Sequence, residues 1–370
     1  MNRAVVLLFL AAISTPLALN VLGVDGADPS NENREMAPAP HWTGTWPSAK
    51  EYPEAFGRWF EDHFGLRSRL VRWFGEGRLF VLGVSPSTAV LKGRNGWLFY
   101  ADDSGVDDYV NKEPLTAAEV GLWREALERA RGWLHRRQIG FVFTIAPDKH
   151  VIYPEYVPPT IRRMGPVSRS DQVYAALADS DVAAIDVRNA LLEAKKRERI
   201  YYLTDTHWND RGALVAYQSI IEAARRQVPS VPPAWTRNDF DPMEQDIRGK
   251  DLAGMLGLKS VLHETDLQLK PRRARRARVV DPPGAEPTSE LGRVVTEVAD
   301  TRLPRAVIFR DSFASRLVPF LSEHFSRAVY LWQNDFDADV VGSEHPDIVI
   351  QEIVGRHLYS FVASPELVPR

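Results

Sequence analysis

The 370-residue chain has no cysteine, which excludes thiolate nucleophiles, disulfides and every thiolate-held metal site. That absence does not assign a compartment, because a domain of this size can be stable without disulfides. The chain also lacks a charge imbalance. Its 46 Lys and Arg against 49 Asp and Glu leave a formal net charge of −3, so no global field invites nucleic acid as a partner. No internal repeat is visible, and 44% hydrophobic with 26% charged residues excludes a disordered or fibrous chain.

Long apolar runs are confined to the amino terminus. Ala4 to Ile13 is unbroken, and apolar character resumes from Leu17 to Leu22 after Ser14, Thr15 and Pro16. Residues 1–23 therefore read as an export signal, preferably an uncleaved anchor in the inner membrane and otherwise a cleaved peptide. As a helix, Ala4 to Leu22 would span roughly 28 Å. Residues 24–41 are polar and Pro-rich like a tether. A periplasmic location follows as the expectation.

The remainder, 42–370, reads as one α/β domain. Aromatic residues from Trp42 to Asp108, including Trp46, Phe56, Trp59, Trp73 and Phe74, fall at mixed helical spacings and are expected to pack on a core. Asn95-Gly96 has the form of a hairpin turn. Thr116 with Glu119 makes a capping box ahead of a helix running to about Arg137. Further helices are expected near Gln172 to Ala178, Asn209 to Arg226 and Phe313 to Phe325. Short apolar runs at Phe141–Ala146, Ala183–Val187, Ala306–Phe309, Ala328–Leu331 and Ile348–Ile353 read as strands. Helices alternating with continuous apolar strands predict an open, mostly parallel sheet covered on both faces. Residues 229–304 break the pattern and read as an irregular insertion with, at most, small antiparallel strands. This segment holds the one strong charge run, Lys270 to Arg278, expected to be solvated.

Two segments carry chemistry. In Asp205-Thr206-His207-Trp208-Asn209, an extended backbone points residues i and i+2 the same way, so Asp205 can orient the His207 imidazole. In Arg310-Asp311-Ser312-Phe313, the serine sits at the carboxyl end of a strand and the start of a helix, where free N–H groups can stabilise an oxyanion. Alone, each has a plainer explanation as a helix cap. Together they supply the parts of a Ser-His-Asp nucleophilic unit on one sheet edge. Asp148 and Lys149 follow a strand onto the same edge and are either an ion pair or substrate contacts. Arg310, Asp311, Trp208 and Asn209 complete the candidates for substrate or oxyanion binding. Asp205 and His207 could be two ligands of a metal, but no third ligand falls at motif spacing, so no metal and no cofactor is expected.

These two segments, with Gly93-Arg94-Asn95-Gly96-Trp97-Leu98-Phe99-Tyr100 and Pro147-Asp148-Lys149-His150-Val151-Ile152-Tyr153-Pro154, resemble the AlgJ/AlgX family of SGNH-hydrolase-like proteins that O-acetylate bacterial polysaccharides. The likeness runs from about Trp42 to the C-terminus and includes the family's permuted order, with the histidine segment ahead of the serine. The resemblance implies Ser312 as nucleophile, His207 as general acid/base and Asp205 as its orienter. It also implies a membrane-bound O-acyltransferase as acetyl donor and a polysaccharide as acceptor. One departure is Arg310, which stands where the superfamily has a glycine. Three functions are carried forward: O-acetyl transfer, acetyl-glycan ester hydrolysis with the same residues, and a non-catalytic tethered scaffold.

Overall fold

The structure is a computed structural model describing residues 3–22, 35–280, 292–361 and 363–369. Its framework is a seven-stranded sheet. Named in chain order, the strands are β1 (Val90–Lys92), β2 (Leu98–Tyr100), β3 (Gly140–Ala146), β4 (Ala183–Ile185), β5 (Phe240–Arg248), β6 (His263–Pro271), β7 (Arg278–Val279), β8 (Val294–Glu297), β9 (Arg305–Arg310), β10 (Arg327–Trp332) and β11 (Ile348–Val354). The large sheet has the order β4-β3-β11-β9-β10-β8-β7. Its five strands from β4 to β10 are parallel, whereas β8 and β7 add antiparallel at the edge.

Burial explains the continuous apolar strands. Val142, Ile308, Tyr330 and Ile350 face one core with the helix Asp210–Gln227, while Phe141, Phe143, Phe309, Val329 and Val349 face a second core with the helix Ala117–His135. Successive side chains of one strand thus enter opposite cores, so no position can be polar without cost. Thr116 and Glu119 form the expected capping box. Arg94 to Trp97 makes the turn between β1 and β2, with Asn95 and Gly96 at positive φ of 54° and 81°, as a type I′ hairpin requires.

Several expectations are corrected. Within 229–304 the antiparallel strands are longer than expected: β5 and β6 form a nine-residue hairpin, whose polar sequence hid its length because β5 is exposed along both faces. The helix expected from Phe313 to Phe325 is broken into a 3-10 turn Phe313–Arg316, a short helix Val318–Leu321 and a second 3-10 turn, since Pro319 cannot extend the preceding turn. Trp46, Phe56, Trp73 and Phe74 are exposed rather than packed. Separately from these corrections, the N-terminal segment forms the helix Arg3–Val21; no helix among the described residues is long and apolar enough to cross a membrane. Part of the tether and residues 281–291 lie outside the described residues.

Candidate active site

The chain entering the Asp210–Gln227 helix is shaped before it reaches His207. Lys149, at the carboxyl end of β3, is only 1% exposed and donates from Nζ to the carbonyls of Tyr202 (3.1 Å), Leu203 (3.2 Å) and Asp205 (2.5 Å). From the other side, Glu264 on β6 accepts the N–H groups of Leu203 (2.8 Å) and Thr204 (2.9 Å). An ammonium gathers the carbonyls and a carboxylate gathers the amides, so the loop is held without regular secondary structure. Burial pulls the Lys149 pKa down to about 8 against the opposing charges of Asp251 and Asp205.

The loop presents Asp205 to His207. Asp205 Oδ1 accepts from the His207 backbone N–H at 3.0 Å and lies 2.7 Å from Nδ1, placing the ring proton on Nδ1 and the free lone pair on Nε2. Burial works against charge on the ring, but the charge and hydrogen bond of Asp205, with Asp251 behind them, outweigh it and raise the His207 pKa. Asp205 is held well below the usual carboxylate range, since its own burial is overcome by His207 and Lys250. Asp205 is not the cap of the following helix. That task falls to Asn209, whose Oδ1 accepts from the N–H groups of Arg211 (3.0 Å) and Gly212 (3.2 Å).

The serine segment is equally free of capping. Ser312 leaves the end of β9 and begins the 3-10 turn without a side-chain cap bond. Asp311 instead accepts from Phe313 N–H at 2.9 Å and from Val354 N–H at 2.6 Å, tying the turn to β11. The two segments meet through Trp208. Its indole N–H donates to the Phe313 carbonyl at 3.0 Å, and the His207 and Phe313 rings lie 4.9 Å apart between centroids. Ser312, His207 and Asp205 line one cavity of about 610 Å³, with Asp210, Asp251, Arg275, Ser315, Arg316 and Trp332 among the remaining walls. His207 Nε2 is buried and makes no hydrogen bond, so the direct Ser312 contact expected at roughly 2.6–3.2 Å is not formed. Such contacts commonly tighten only with substrate in place.

Other sequence candidates fall behind the wall. Asp148 is fully paired with Arg356, by the guanidinium at 2.7 Å and the backbone N–H at 3.0 Å. Lys149 and Asp148 therefore hold structure and do not face the cavity; Trp208 and Asn209, both buried, likewise act as staple and cap. Arg310 is 2% exposed, lies against Trp332 (4.6 Å to the ring centroid) and donates to Ser315 Oγ at 2.8 Å, so it supports two cavity residues from behind.

A family profile described as "SGNH hydrolase-like domain, acetyltransferase AlgX" matches residues 90–335. The chain belongs to this AlgX family of SGNH hydrolase-like domains. Among curated proteins it is similar to the probable alginate O-acetylase AlgJ of Pseudomonas putida, 32% identical over 145 residues, 37% of this chain and 34% of that protein. The corresponding protein of Pseudomonas aeruginosa is 30% identical over 136 residues, 35% of this chain and 32% of the relative. The matched part spans about a third of the length of these relatives. Among solved structures, Bacillus cereus PatB1 with a sulfonyl adduct aligns at a TM-score of 0.52 and 17% identity, over 76% of this chain and all of that one, a likeness of fold alone.

Some groups at this AlgX-family site carried no usable sequence signal. Asp251 and Arg275 reach the cavity from the segment read as an insertion, and only Arg275 stood in a conspicuous run. His357, which looks isolated in the sequence, lies 3.4 Å from Asp311 through Nδ1 and 3.1 Å from Asp103 through Nε2.

Proposed function

We propose that the protein is an O-acetyltransferase that moves an acetyl group through a Ser312 acyl-enzyme to a hydroxyl of an exported polysaccharide. The observation that carries this reading is the Trp208–Phe313 hydrogen bond, which seats a histidine with an open, buried Nε2 in the same cavity as an uncapped serine. In this reading His207 Nε2 takes the Ser312 proton as Oγ attacks the donor carbonyl, and returns it to the leaving group as the tetrahedral adduct collapses. The acetyl-Ser312 ester is then attacked by a sugar hydroxyl, whose proton passes to the same nitrogen and from there to Ser312 Oγ as the ester bond to the serine breaks, which regenerates the free enzyme. Asp205 holds the ring and favours the imidazolium that forms in each half. Family membership and the O-acetylase names of the relatives support acetyl as the group transferred. A periplasmic domain tethered by the apolar N-terminal helix, receiving acetyl from a membrane-bound O-acyltransferase, completes the proposal.

Incubating the full chain with an activated acetyl ester and weighing the intact protein tests it. One acetyl adduct, absent in Ser312→Ala, is expected, and it should pass to added glycan. An adduct that water clears while glycans receive nothing would identify an esterase. No adduct at any pH would leave the scaffold.

A further inference from the structure

We infer that Asp251 is a second carboxylate partner of His207, a positioning residue that the β5–β6 segment delivers to the site. Resting on the catalytic reading above, it adds a fourth member that no motif contains. Asp251 begins the short helix Asp251–Met255, which a small apolar core of Leu79, Val90, Leu98, Leu252, Leu256 and Leu258 fixes against β1 and β2. Its Oδ1 accepts the backbone N–H of Thr206 at 2.9 Å, the residue between Asp205 and His207, and that of Leu252 at 2.6 Å. Carboxylate oxygens of Asp205 and Asp251 and a ring nitrogen of His207 all lie within 4.8 Å of one another, and all three residues line the cavity that holds Ser312.

The arrangement does two things. The Thr206 bond fixes the turn that makes Asp205 and His207 face the same way. The second negative charge then favours the imidazolium that forms when the Ser312 proton reaches Nε2, at a distance where an opposite charge shifts a pKa by about one unit or more. Of the charges around His207, Asp205 and Asp251 favour the cation and Arg356 opposes it. Lys250 lies 3.9 Å from Asp205, and Asp210, Arg275 and Arg316 stand on the cavity wall. Asp251 itself, half-buried and beside Asp205, is pushed up to about 6, so it is charged at neutral pH and loses its effect in acid.

Asp251→Asn separates charge from scaffolding, because its amide oxygen can still accept the Thr206 and Leu252 N–H groups. In the full chain, NMR titration of the His207 ring, assigned with His207→Gln, should show a pKa lower by about one unit in Asp251→Asn. The acid limb of kcat/KM with an activated acetyl ester should move equally, and Asp251→Glu should restore both. An unmoved His207 titration overturns the inference. Should Asp251→Asn fail to fold, the unaltered protein decides: its His207 signals should show a second inflection as Asp251 takes up its proton, and a single-step curve is fatal. Activity indifferent to Ser312→Ala would sink the acyl-enzyme reading while leaving the titration to judge Asp251 on its own.

Discussion

Asp205→Asn is the sharpest test of the site because the local geometry dictates what the substitution removes. Both bonds from His207 converge on Oδ1. An asparagine that keeps its oxygen there still accepts the backbone N–H and still holds the ring proton on Nδ1. Its NH₂ then takes the place of Oδ2, which lies 3.9 Å from the Lys250 ammonium. The tautomer survives and the charge is lost. At an effective dielectric of about 20, a unit charge about 3 Å from an imidazolium contributes about 5 kcal/mol, and roughly half that where water enters. The Asp205 and His207 side chains are 12% and 22% exposed, so both limits apply. At about 1.4 kcal/mol per factor of ten, kcat should fall about 10²- to 10⁴-fold. Because Asn209 and not Asp205 caps the next helix, the melting transition should move little. Initial rates with an activated acetyl ester, run beside thermal melts, provide the assay. A loss of turnover under about tenfold with an unchanged His207 titration would refute the electrostatic argument, since so close a charge cannot be that weak in a partly buried site.

Trp208→Phe removes the indole donor to Phe313. It should cost about 1–3 kcal/mol for the buried carbonyl left behind and lower kcat up to about 100-fold through misplacement of Ser312 against His207; melts and rates on one sample check both. Asn209→Ala should lose about 0.5–2 kcal/mol as a removed cap while leaving the acid limb of the rate profile in place, which denaturant unfolding and a pH series will show. For the unaltered protein, His207 has a folded pKa above its unfolded value. Its ionic contribution to stability is fully present below the unfolded pKa of about 6.5 and is lost as pH rises through the folded value. Turnover needs the neutral ring and should rise through that same window. Melts and rates measured together against pH should therefore trend in opposite directions, and parallel curves would count against His207 as the base.

Much of the sheet was legible because its strands are covered on both faces, so the residues from Phe141 to Ala146 had to be apolar save for Thr144, and those from Ile348 to Ile353 save for Gln351 and Glu352, which are themselves buried. The pairing of Asp205 with His207 was legible for a different reason: two-residue spacing in an extended segment is a local geometric fact. The polar hairpin β5–β6 left no such mark, since β5 meets water along both faces and its pattern mimics a loop. Asp251 was therefore invisible, as its nearness to His207 depends on how that hairpin and the Leu252 core fold back. For Lys149 the sequence left open an ion pair or a substrate contact, and only the loop from Tyr202 to Asp205 closing over it shows that its partners are backbone carbonyls. Asn209 was legible as a helix start but not as the residue that frees Asp205 from capping, which required seeing which oxygen accepts the first amides.

The loop around Lys149 has a counterpart in a different class of protein. Backbone carbonyls converging on one cation are how many extracellular loops hold calcium, and there the fold depends on the ion's concentration and yields to a chelator. Here the cation is a side chain carried by the end of β3, gathered by the carbonyls of Tyr202, Leu203 and Asp205. It cannot be diluted away, exchanged or sequestered. Those three carbonyls consequently draw their order from the same polypeptide that needs it, and their arrangement owes nothing to the ions of the surrounding solution.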